Sequence, residues 1–432
     1  MIKVAFYIDN GNIKNIDCRN VLNGNPGIGG TEYMIILISY LLSIRDNDID
    51  VVLISSSEGI YPAGLRCQNA KDIYGGYDVA RREGCIYYIY KHVPELVSNK
   101  CFVNKLHIDT KLIPWCHNFC DYKSLRFYAN SKYTARIIAV GKEQMELYRD
   151  HKAFLKSDYI YNCVPFVSQG QSLEETFKRK NIVTYIGSLV PEKGFGYLAK
   201  AWKTVLKEIP DAELYVIGSG KLYNNNATLG KWGIAEAKFE NKFMKYLSSG
   251  DKVLPSVHFM GVLGEEKKEI LAKTKVGVPN PSGLTETFGI TAVEFQLMGA
   301  CVTTKCCPGY LDTVFDGLLY STTDKLANSI KDLLRKPSSK TEYARRIIQE
   351  KFSIETVLSD WEMLLNHSIH NNEYLHSINI TKEYEFARIK EFLRKLKASY
   401  PCLYYVLPSL HYVLDFESRF IGIKQCLKNM IR

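Results

Sequence analysis

The sequence lacks any uninterrupted apolar run long enough to span a bilayer. Its opening residues, MIKVAFYIDN, hold an apolar run that is too short for a signal peptide and has no small-residue cleavage site. Low-complexity tracts are also missing, and 46% apolar with 24% charged residues is typical of a globular protein. We therefore expect a folded protein of the cytosol.

A spaced set of zinc ligands is absent as well. The 12 cysteines are scattered, and neither CHNFC at residues 116–120 nor Cys306-Cys307 has an evident second pair of ligands. Without a secretory signal, the cysteines are expected to be reduced thiols rather than a disulfide framework. The sequence predicts no metal site.

The charge is not strongly one-sided. The 56 lysines and arginines exceed the 46 acids by a net charge of +10, which is mild for a chain of 432 residues. This balance favours anionic partners such as phosphates or an acidic membrane face. Because no aromatic-basic RNA signature, zinc finger or leucine zipper accompanies the charge, nucleic acid is not an expected partner.

What the sequence does contain is an alternation of strand and helix patterns, which predicts parallel sheets covered by helices. The first series has strands at residues 3–8, 50–55 and 112–117, with a helix at 31–44. A second series begins near residue 180, with strands at 181–186, 212–217, 257–260, 275–279 and 301–305. The fold class is therefore α/β, with two Rossmann-like α/β/α domains and a cleft between them.

The predicted domains are residues 1–165 and 166–351, joined by a polar linker at 168–180. Residues 352–370 are expected to form a helix that crosses back onto the first domain. The remainder, residues 371–432, is predicted to be a basic, aromatic, helical extension. In its part from 382 to 430, basic residues alternate with tyrosine, leucine and phenylalanine. Two interpretations stay open: an amphipathic helix on an anionic membrane, or a packed appendage with a solvated basic face.

The most informative segment is PSGLTETFGITAVE, residues 281–294, which places two carboxylates around a strand-to-helix turn. Glu286 falls in the loop, and Glu294 falls inside a helix whose apolar residues recur at helical spacing. The first N–H groups of such a helix form a seat for a diphosphate. An ionised carboxylate only accepts hydrogen bonds, so the two acids suit the hydroxyls of a ribose or a hexose.

This segment resembles the E-x7-E signature of retaining GT-B glycosyltransferases of the family 4, or group 1, type. The resemblance implies that Glu286 contacts the hydroxyls of the donor sugar and that Glu294 holds the nucleotide ribose. The donor-binding backbone amides would be those of Phe288, Gly289, Ile290 and Thr291. The alternative for an isolated pair of acids is an amphipathic helix with two solvated carboxylates, and the flanking segments weigh against it.

A glycine-rich loop, GNPGIGGTE at residues 24–32, lies between the first predicted strand and helix and resembles the G-G-x-E loop of the same family. Gly29 and Gly30 would let the backbone approach the diphosphate or the acceptor. A tight turn with Thr31 as the helix cap is the alternative. The loop does not satisfy G-x-G-x-x-G, and neither does the segment at residues 218–220, so a dehydrogenase is disfavoured.

A second loop, IGSLVPEKG at residues 186–194, resembles the family segment G-R-L-x-x-E-K-G. Lys193 would place its ammonium on the leaving diphosphate, unless it is an ordinary exposed turn lysine. Ser188 stands where the family usually has arginine, which removes a bidentate phosphate clamp. We expect either that another cation, such as Arg126 or Arg136, substitutes for it, or that catalysis is weak.

His117, in WCHN at residues 115–118, ends a predicted strand and resembles a family histidine near the transferred sugar. It would bond a donor hydroxyl or shape the pocket, and a core histidine satisfied by backbone is the alternative. The D-x-D string at residues 46–48 holds a metal in another glycosyltransferase fold. Here it lies where a turn is expected, and GT-B enzymes use helix N-termini and cations instead of a metal.

Taken over most of residues 1–366, the resemblance implies a retaining hexosyltransferase that uses a nucleoside-diphosphate sugar and no cofactor or metal. Its acceptor would be a saccharide or a lipid-linked oligosaccharide in surface polysaccharide synthesis, in the cytoplasm or on the cytoplasmic face of the membrane. Two alternatives remain open. One is an impaired or non-catalytic subunit that binds sugar nucleotides, which Ser188 favours, and the other is a GT-B epimerase or phosphorylase.

Overall fold

The first strand, Ile2–Ile8, is an almost continuous apolar run, as expected for a parallel strand that is covered on both faces. It opens a chain that the computed structural model describes over residues 1–13, 16–45, 48–165, 179–220, 228–264, 266–335, 340–371, 373–380, 384 and 386–414. Most of the predicted linker at 168–180, two residues of the D-x-D string and residues 415–432 lie outside these ranges.

The elements of the described residues are named here in chain order. The strands are β1 Ile2–Ile8, β2 Ile16–Asp17, β3 Ile49–Ser55, β4 Gly59–Ile60, β5 Cys67–Asn69, β6 Tyr87–Lys91, β7 Lys111–Cys116, β8 Ile137–Ala139, β9 Ser157–Tyr159, β10 Ile182–Ile186, β11 Glu213–Ile217, β12 Ser248–Ser249, β13 Lys252–Val253, β14 Val257–Gly261, β15 Val276–Gly277, β16 Cys301–Lys305 and β17 Gly317–Tyr320. The α-helices are α1 Gly30–Ile44, α2 Ile73–Arg82, α3 Pro94–Ser98, α4 Lys100–Val103, α5 Tyr122–Asn130, α6 Lys142–Glu146, α7 Phe195–Glu208, α8 Ala237–Leu247, α9 Lys267–Lys273, α10 Ile290–Leu297, α11 Pro308–Thr313, α12 Leu326–Arg335, α13 Thr341–Phe352, α14 Ile354–Met363, α15 Ile369–Asn371, α16 Ala387–Ser399 and α17 Leu403–Val406.

The first half of the chain forms a parallel sheet with the strand order β5-β3-β1-β6-β7-β8-β9 among the described residues. Side chains of β1 alternate between its two faces. Phe6 belongs to the core that includes α1, whereas Tyr7 belongs to the core that includes α2. Helices therefore cover both faces of the sheet, as the alternating sequence pattern predicts.

The second half forms another parallel sheet, ordered β14-β11-β10-β15-β16-β17 within the described ranges. Four of its five predicted strands are confirmed to within a residue or so. The strand predicted at 275–279 is shorter and pairs only over Val276–Gly277. Val278 still donates a hydrogen bond to the carbonyl of Thr184, but Asn280, with a φ of 22°, turns the chain out of the sheet.

The segment after the second sheet returns to the first domain. Helix α13 ends before Ser353 and α14 begins after it. The hydroxyl of Ser353 accepts a hydrogen bond from the N–H of Thr356 and so caps α14. Trp361 on this helix packs against Phe6 and Trp115, with ring centroids 5.7 and 4.9 Å apart. The buried core of the first domain therefore includes the returning helix.

The described part of the C-terminal extension packs on the first domain with two of its lysines, Lys390 and Lys397, buried. Lys397 on α16 lies 3.1 Å from the carboxylate of Asp150, and both side chains are almost completely buried. Asp150 also accepts hydrogen bonds from the hydroxyl of Ser409 and the N–H of Leu410. The solvated basic face expected for a packed appendage is therefore wrong at Lys397, and Lys390 is buried too. Within the described residues, no helix is both long and apolar enough to cross a bilayer.

Replacing Lys397 with methionine should lower the free energy of unfolding by about 3–5 kcal/mol, because Asp150 is left as a buried charge without its cation. Lys395→Met, on the same helix with 72% of its side chain exposed, is the matched control and should change stability by about 0.5 kcal/mol or less. Urea unfolding of both variants measures the difference. Equal free energies of unfolding for the two variants would show that the extension does not stabilise the first domain through this ion pair.

Candidate active site

A cavity of about 640 Å³ lies between the two sheets and is lined by residues of both halves. Its walls are loops that follow the carboxyl ends of parallel strands, where ligands bind in such sheets. All of the predicted site residues line this one cavity: Gly29, Gly30, His117, Ser188, Lys193, Glu286, Phe288, Gly289, Ile290, Thr291 and Glu294. The sequence segments that were singled out separately therefore form a single site.

The turn before α10 is shaped by Gly289. Its φ of 84° is left-handed, and a Cβ placed there would lie 2.5 Å from the ring of Tyr310, so only glycine fits. The carbonyl of Phe288 accepts a hydrogen bond from Thr313, which holds the turn against the neighbouring helix α11. The first N–H groups of α10 lack intrahelical acceptors and lie at the positive end of its dipole. They form a seat for an anion in the cavity wall.

Glu286 is held in an ion pair at one side of this turn. The Nζ of Lys193 lies 3.0 Å from its Oε2, and the side-chain amide of Asn280 donates to the same oxygen at 2.9 Å. Both charged side chains are about one-fifth exposed. The predicted sugar-binding carboxylate and the predicted phosphate-binding ammonium are therefore direct neighbours.

Glu294 lies deeper, about one turn into α10, and is 5% exposed. Its Oε1 is 2.8 Å from the Nζ of Lys267 on α9. Its Oε2 is buried and has no hydrogen-bond partner among the residues the structure describes. A buried carboxylate oxygen in this state is an open acceptor for a hydroxyl group of a ligand.

His117 ends its strand with the ring against Trp115, at a centroid distance of 4.5 Å. Burial, together with the positive charge of Lys91, lowers the pKa of His117 to about 3. Its Nε2 is buried and unpartnered within the described part of the chain. His117 is thus a neutral imidazole at physiological pH, suited to a hydrogen bond with a ligand hydroxyl and not to acting as a cationic acid.

The expectation that Arg126 or Arg136 replaces the missing arginine is wrong. Ser188 is buried in the cavity wall, but neither arginine lines the cavity. Arg136 is instead buried against Asp158, with its guanidinium also donating to the carbonyl of Ser368. The sequence offered no way to foresee this, because the residues that hold Arg136 lie far along the chain.

Two lysines that line the cavity, Lys91 and Lys267, were not among the site residues predicted from the sequence. Lys91 is the last residue of β6 and lies 3.4 Å from Glu32, while Lys267 reaches Glu294 from α9. Lys267 stands in the run EEKKE, which resembles an ordinary solvated helix start. Its position shortly after the end of β14, at Gly261, was the one available signal.

The glycine loop of the first domain contributes the opposite wall. Gly29 precedes α1, and a Cβ there would lie 2.0 Å from the Oε2 of Glu32, so that carboxylate folds back over the glycine. Gly30 has open space where a Cβ would be. Among the described residues, no group of three or more histidines, cysteines, aspartates or glutamates is placed to hold a metal ion.

Comparison with known proteins places this site in context. The family described as Glycosyl transferases group 1 matches residues 171–352, the part that contains Lys193, Glu286 and Glu294. An uncharacterized glycosyltransferase of Haemophilus influenzae is similar, with 21% identity over 274 residues, 60% of this chain and 71% of the relative. The family match therefore covers the residues that the second domain contributes to the cavity.

Solved structures resemble nearly the whole two-domain body. HepE of Anabaena, in complex with UDP and glucose, has a TM-score of 0.58 and 16% identity over 84% of this chain and 99% of its own. Sucrose-phosphate synthase from Thermosynechococcus elongatus has a TM-score of 0.61 and 14% identity over 84% and 98%. At these identities the likeness concerns the fold, and it confirms the GT-B architecture predicted from the sequence.

The lowered pKa of His117 makes a prediction about acid stability. In the unfolded chain His117 is protonated below about pH 6.5, the ordinary pKa of histidine. In the folded protein it is protonated only below about pH 3. Stability is therefore fully retained above pH 6.5 and falls as the pH drops, by about 2 kcal/mol at pH 5. In His117→Asn this fall should be shallower, measured by urea unfolding from pH 8 to pH 4. Parallel curves for the two proteins would contradict a neutral buried His117.

Proposed function

We propose that the protein transfers a hexose from a nucleoside-diphosphate sugar to a saccharide or lipid-linked oligosaccharide acceptor, with retention of configuration. The observation that carries the proposal is the arrangement around α10. Glu286 and Glu294 lie on either side of the helix N-terminus, in one interdomain cavity with Lys193 beside the first carboxylate. The match of residues 171–352 to a glycosyltransferase family supports the same function.

In the proposed complex, the diphosphate lies on the first N–H groups of α10 and draws Lys193 toward it. Glu294 accepts a hydrogen bond from the ribose through its open Oε2. Glu286, released in part from Lys193, accepts from hydroxyls of the sugar, and the neutral ring of His117 bonds another. Each of these contacts uses a group that lines the cavity in the described structure.

The proposed reaction breaks the bond between the anomeric carbon and the diphosphate oxygen and forms a bond from the same face to an acceptor hydroxyl oxygen. The departing phosphate oxygen takes the proton of that hydroxyl. Negative charge grows on the diphosphate as the bond breaks, and Lys193 with the helix N-terminus stabilises it. These two features support a reaction without a metal, so the proposal requires only the donor sugar nucleotide and the acceptor.

The first donor to test is a UDP-sugar, since structures of the same fold contain UDP. UDP at roughly a hundred times its Kd should stabilise the protein by about 2.7 kcal/mol, seen as a rise in the melting temperature. Glu294→Ala should abolish the rise. Glu269→Ala, an exposed acid on α9, should retain it. GDP, ADP and CMP form the parallel panel, and no shift with any nucleotide would refute the donor site.

Turnover separates the proposal from its alternatives. Lys193→Ala should lower sugar transfer by roughly a hundredfold or more, because the leaving group loses its cation. If the native protein binds the donor yet transfers nothing, and Ser188→Arg restores transfer, an impaired binding subunit is the better description. Product formed without any acceptor would instead indicate an epimerase or phosphorylase.

The proposed acceptor and the proposed location, the cytoplasmic face of a membrane, are supported by an exposed apolar surface on the extension. We name it the apolar face; it consists of Phe386, Ile389, Phe392, Tyr405 and Val406. Phe392 on α16 is 64% and Val406 on α17 is 74% exposed, while Lys390 and Lys397 on α16 are buried. Exposed Arg388 and Lys395 flank this face. Aromatic and aliphatic side chains bordered by bases suit an anionic lipid surface.

The protein should therefore float with phosphatidylglycerol vesicles and not with phosphatidylcholine vesicles. Phe392→Ser combined with Val406→Ser should remove most of this binding. Ile108→Ser, an exposed apolar residue elsewhere on the first domain, should not. If the double variant instead converts a dimer into a monomer in sedimentation, the apolar face binds a second copy and the membrane proposal fails.

A further inference from the structure

The ion pair between Lys267 and Glu294 has an unusual setting for two cavity residues. Glu294 is 5% and Lys267 9% exposed, and the 2.8 Å contact between them joins α9 to α10 across the cavity wall. Two long charged side chains held this far from solvent have few alternative positions. The pair therefore fixes where the carboxylate of Glu294 points.

Only one oxygen of that carboxylate is used by the pair. Lys267 holds Oε1, whereas Oε2 is buried and unpartnered among the described residues. A carboxylate with both oxygens exposed to a ribose accepts hydroxyls in several orientations, but this one offers a single acceptor in a fixed direction. A buried acceptor that is satisfied only by a ligand hydroxyl discriminates strongly against ligands without it.

We infer that Lys267 is a positioning residue that makes the site selective for a ribonucleoside diphosphate over its deoxy analogues. It acts through Glu294, which is the residue in contact with the ribose. The inference rests on the proposed function, because it assumes that the cavity binds the nucleotide of a sugar donor. It adds a residue that lies outside the E-x7-E segment and in a loop-to-helix region of its own.

The geometry distinguishes Lys267 from the other cavity lysine of the second domain. Lys193 shares Glu286 with the amide of Asn280, so that carboxylate keeps one partner if the lysine moves to a phosphate. Glu294 has no comparable second hydrogen bond within the described residues. Loss of Lys267 would therefore free the carboxylate to turn, and the fixed direction of Oε2 would be lost.

The test compares the Kd values of UDP, 2′-deoxy-UDP and 3′-deoxy-UDP by titration calorimetry. The native protein should bind UDP roughly tenfold to a hundredfold more tightly than at least one of the deoxy nucleotides, the value of a hydrogen bond to a charged group. In Lys267→Met this ratio should fall to near one, with UDP bound about as weakly as the deoxy analogue. Lys267→Arg, which keeps the charge, should recover part of the ratio.

Lys273→Met, at the exposed end of the same helix, is the matched control and should keep the native ratio. If Lys267→Met fails to fold, Lys267→Gln is measured in its place with the same expected ratio. A variant that weakens UDP and the deoxy nucleotides equally would show a structural role only and overturn the inference. UDP binding without any ribose preference in the native protein would also overturn it and leave the proposed function standing. Absence of binding to any nucleotide would overturn both.

Discussion

The hydrogen bond from the Thr287 hydroxyl to the carbonyl of His117, 2.7 Å long and buried, joins the two halves of the cavity. Thr287 precedes the Gly289 turn of the second domain, and His117 directly follows β7 of the first. Beside it, a Cβ on Gly141 would lie 3.1 Å from the carbonyl of Thr287, so the two backbones touch. The position of the turn relative to His117 is thereby fixed, and the rest of the site is built around this contact.

Charge inside the cavity is arranged in pairs. Lys91, Lys193 and Lys267 each lie against a carboxylate, namely Glu32, Glu286 and Glu294. In a cavity that held lysines alone, the ammonium groups would repel one another when no ligand is bound. A cavity that held carboxylates alone would repel any anionic ligand, such as a diphosphate. Pairing lets the site stay folded without a ligand and still offer both cations and acceptors. Different ligand groups can then draw on different members of the same pairs.

Much of the fold and of the site could be predicted because it depends on residues close together in the sequence. The strand at 301–305 and the turn at Gly289 depend on neighbours in sequence, so composition and spacing sufficed. The partners of Lys267 and Arg136 could not be predicted, because each is brought in by tertiary packing from a distant segment. The packing of the C-terminal extension could not be predicted for a related reason. The sequence left two interpretations of this segment open, and neither foresees that Lys397 is buried against the carboxylate of Asp150 while Lys395 on the same helix stays exposed.

The contact between Lys397 and Asp150 also bears on where the folding unit ends. The family match stops at residue 352, yet Asp150, in the first domain, takes its cation and two more hydrogen bonds from Lys397, Ser409 and Leu410. A chain cut after the second sheet would lose the cation and both hydrogen-bond donors that the extension supplies to this carboxylate. The folding unit of the first domain therefore includes the extension and reaches beyond the end of the family match.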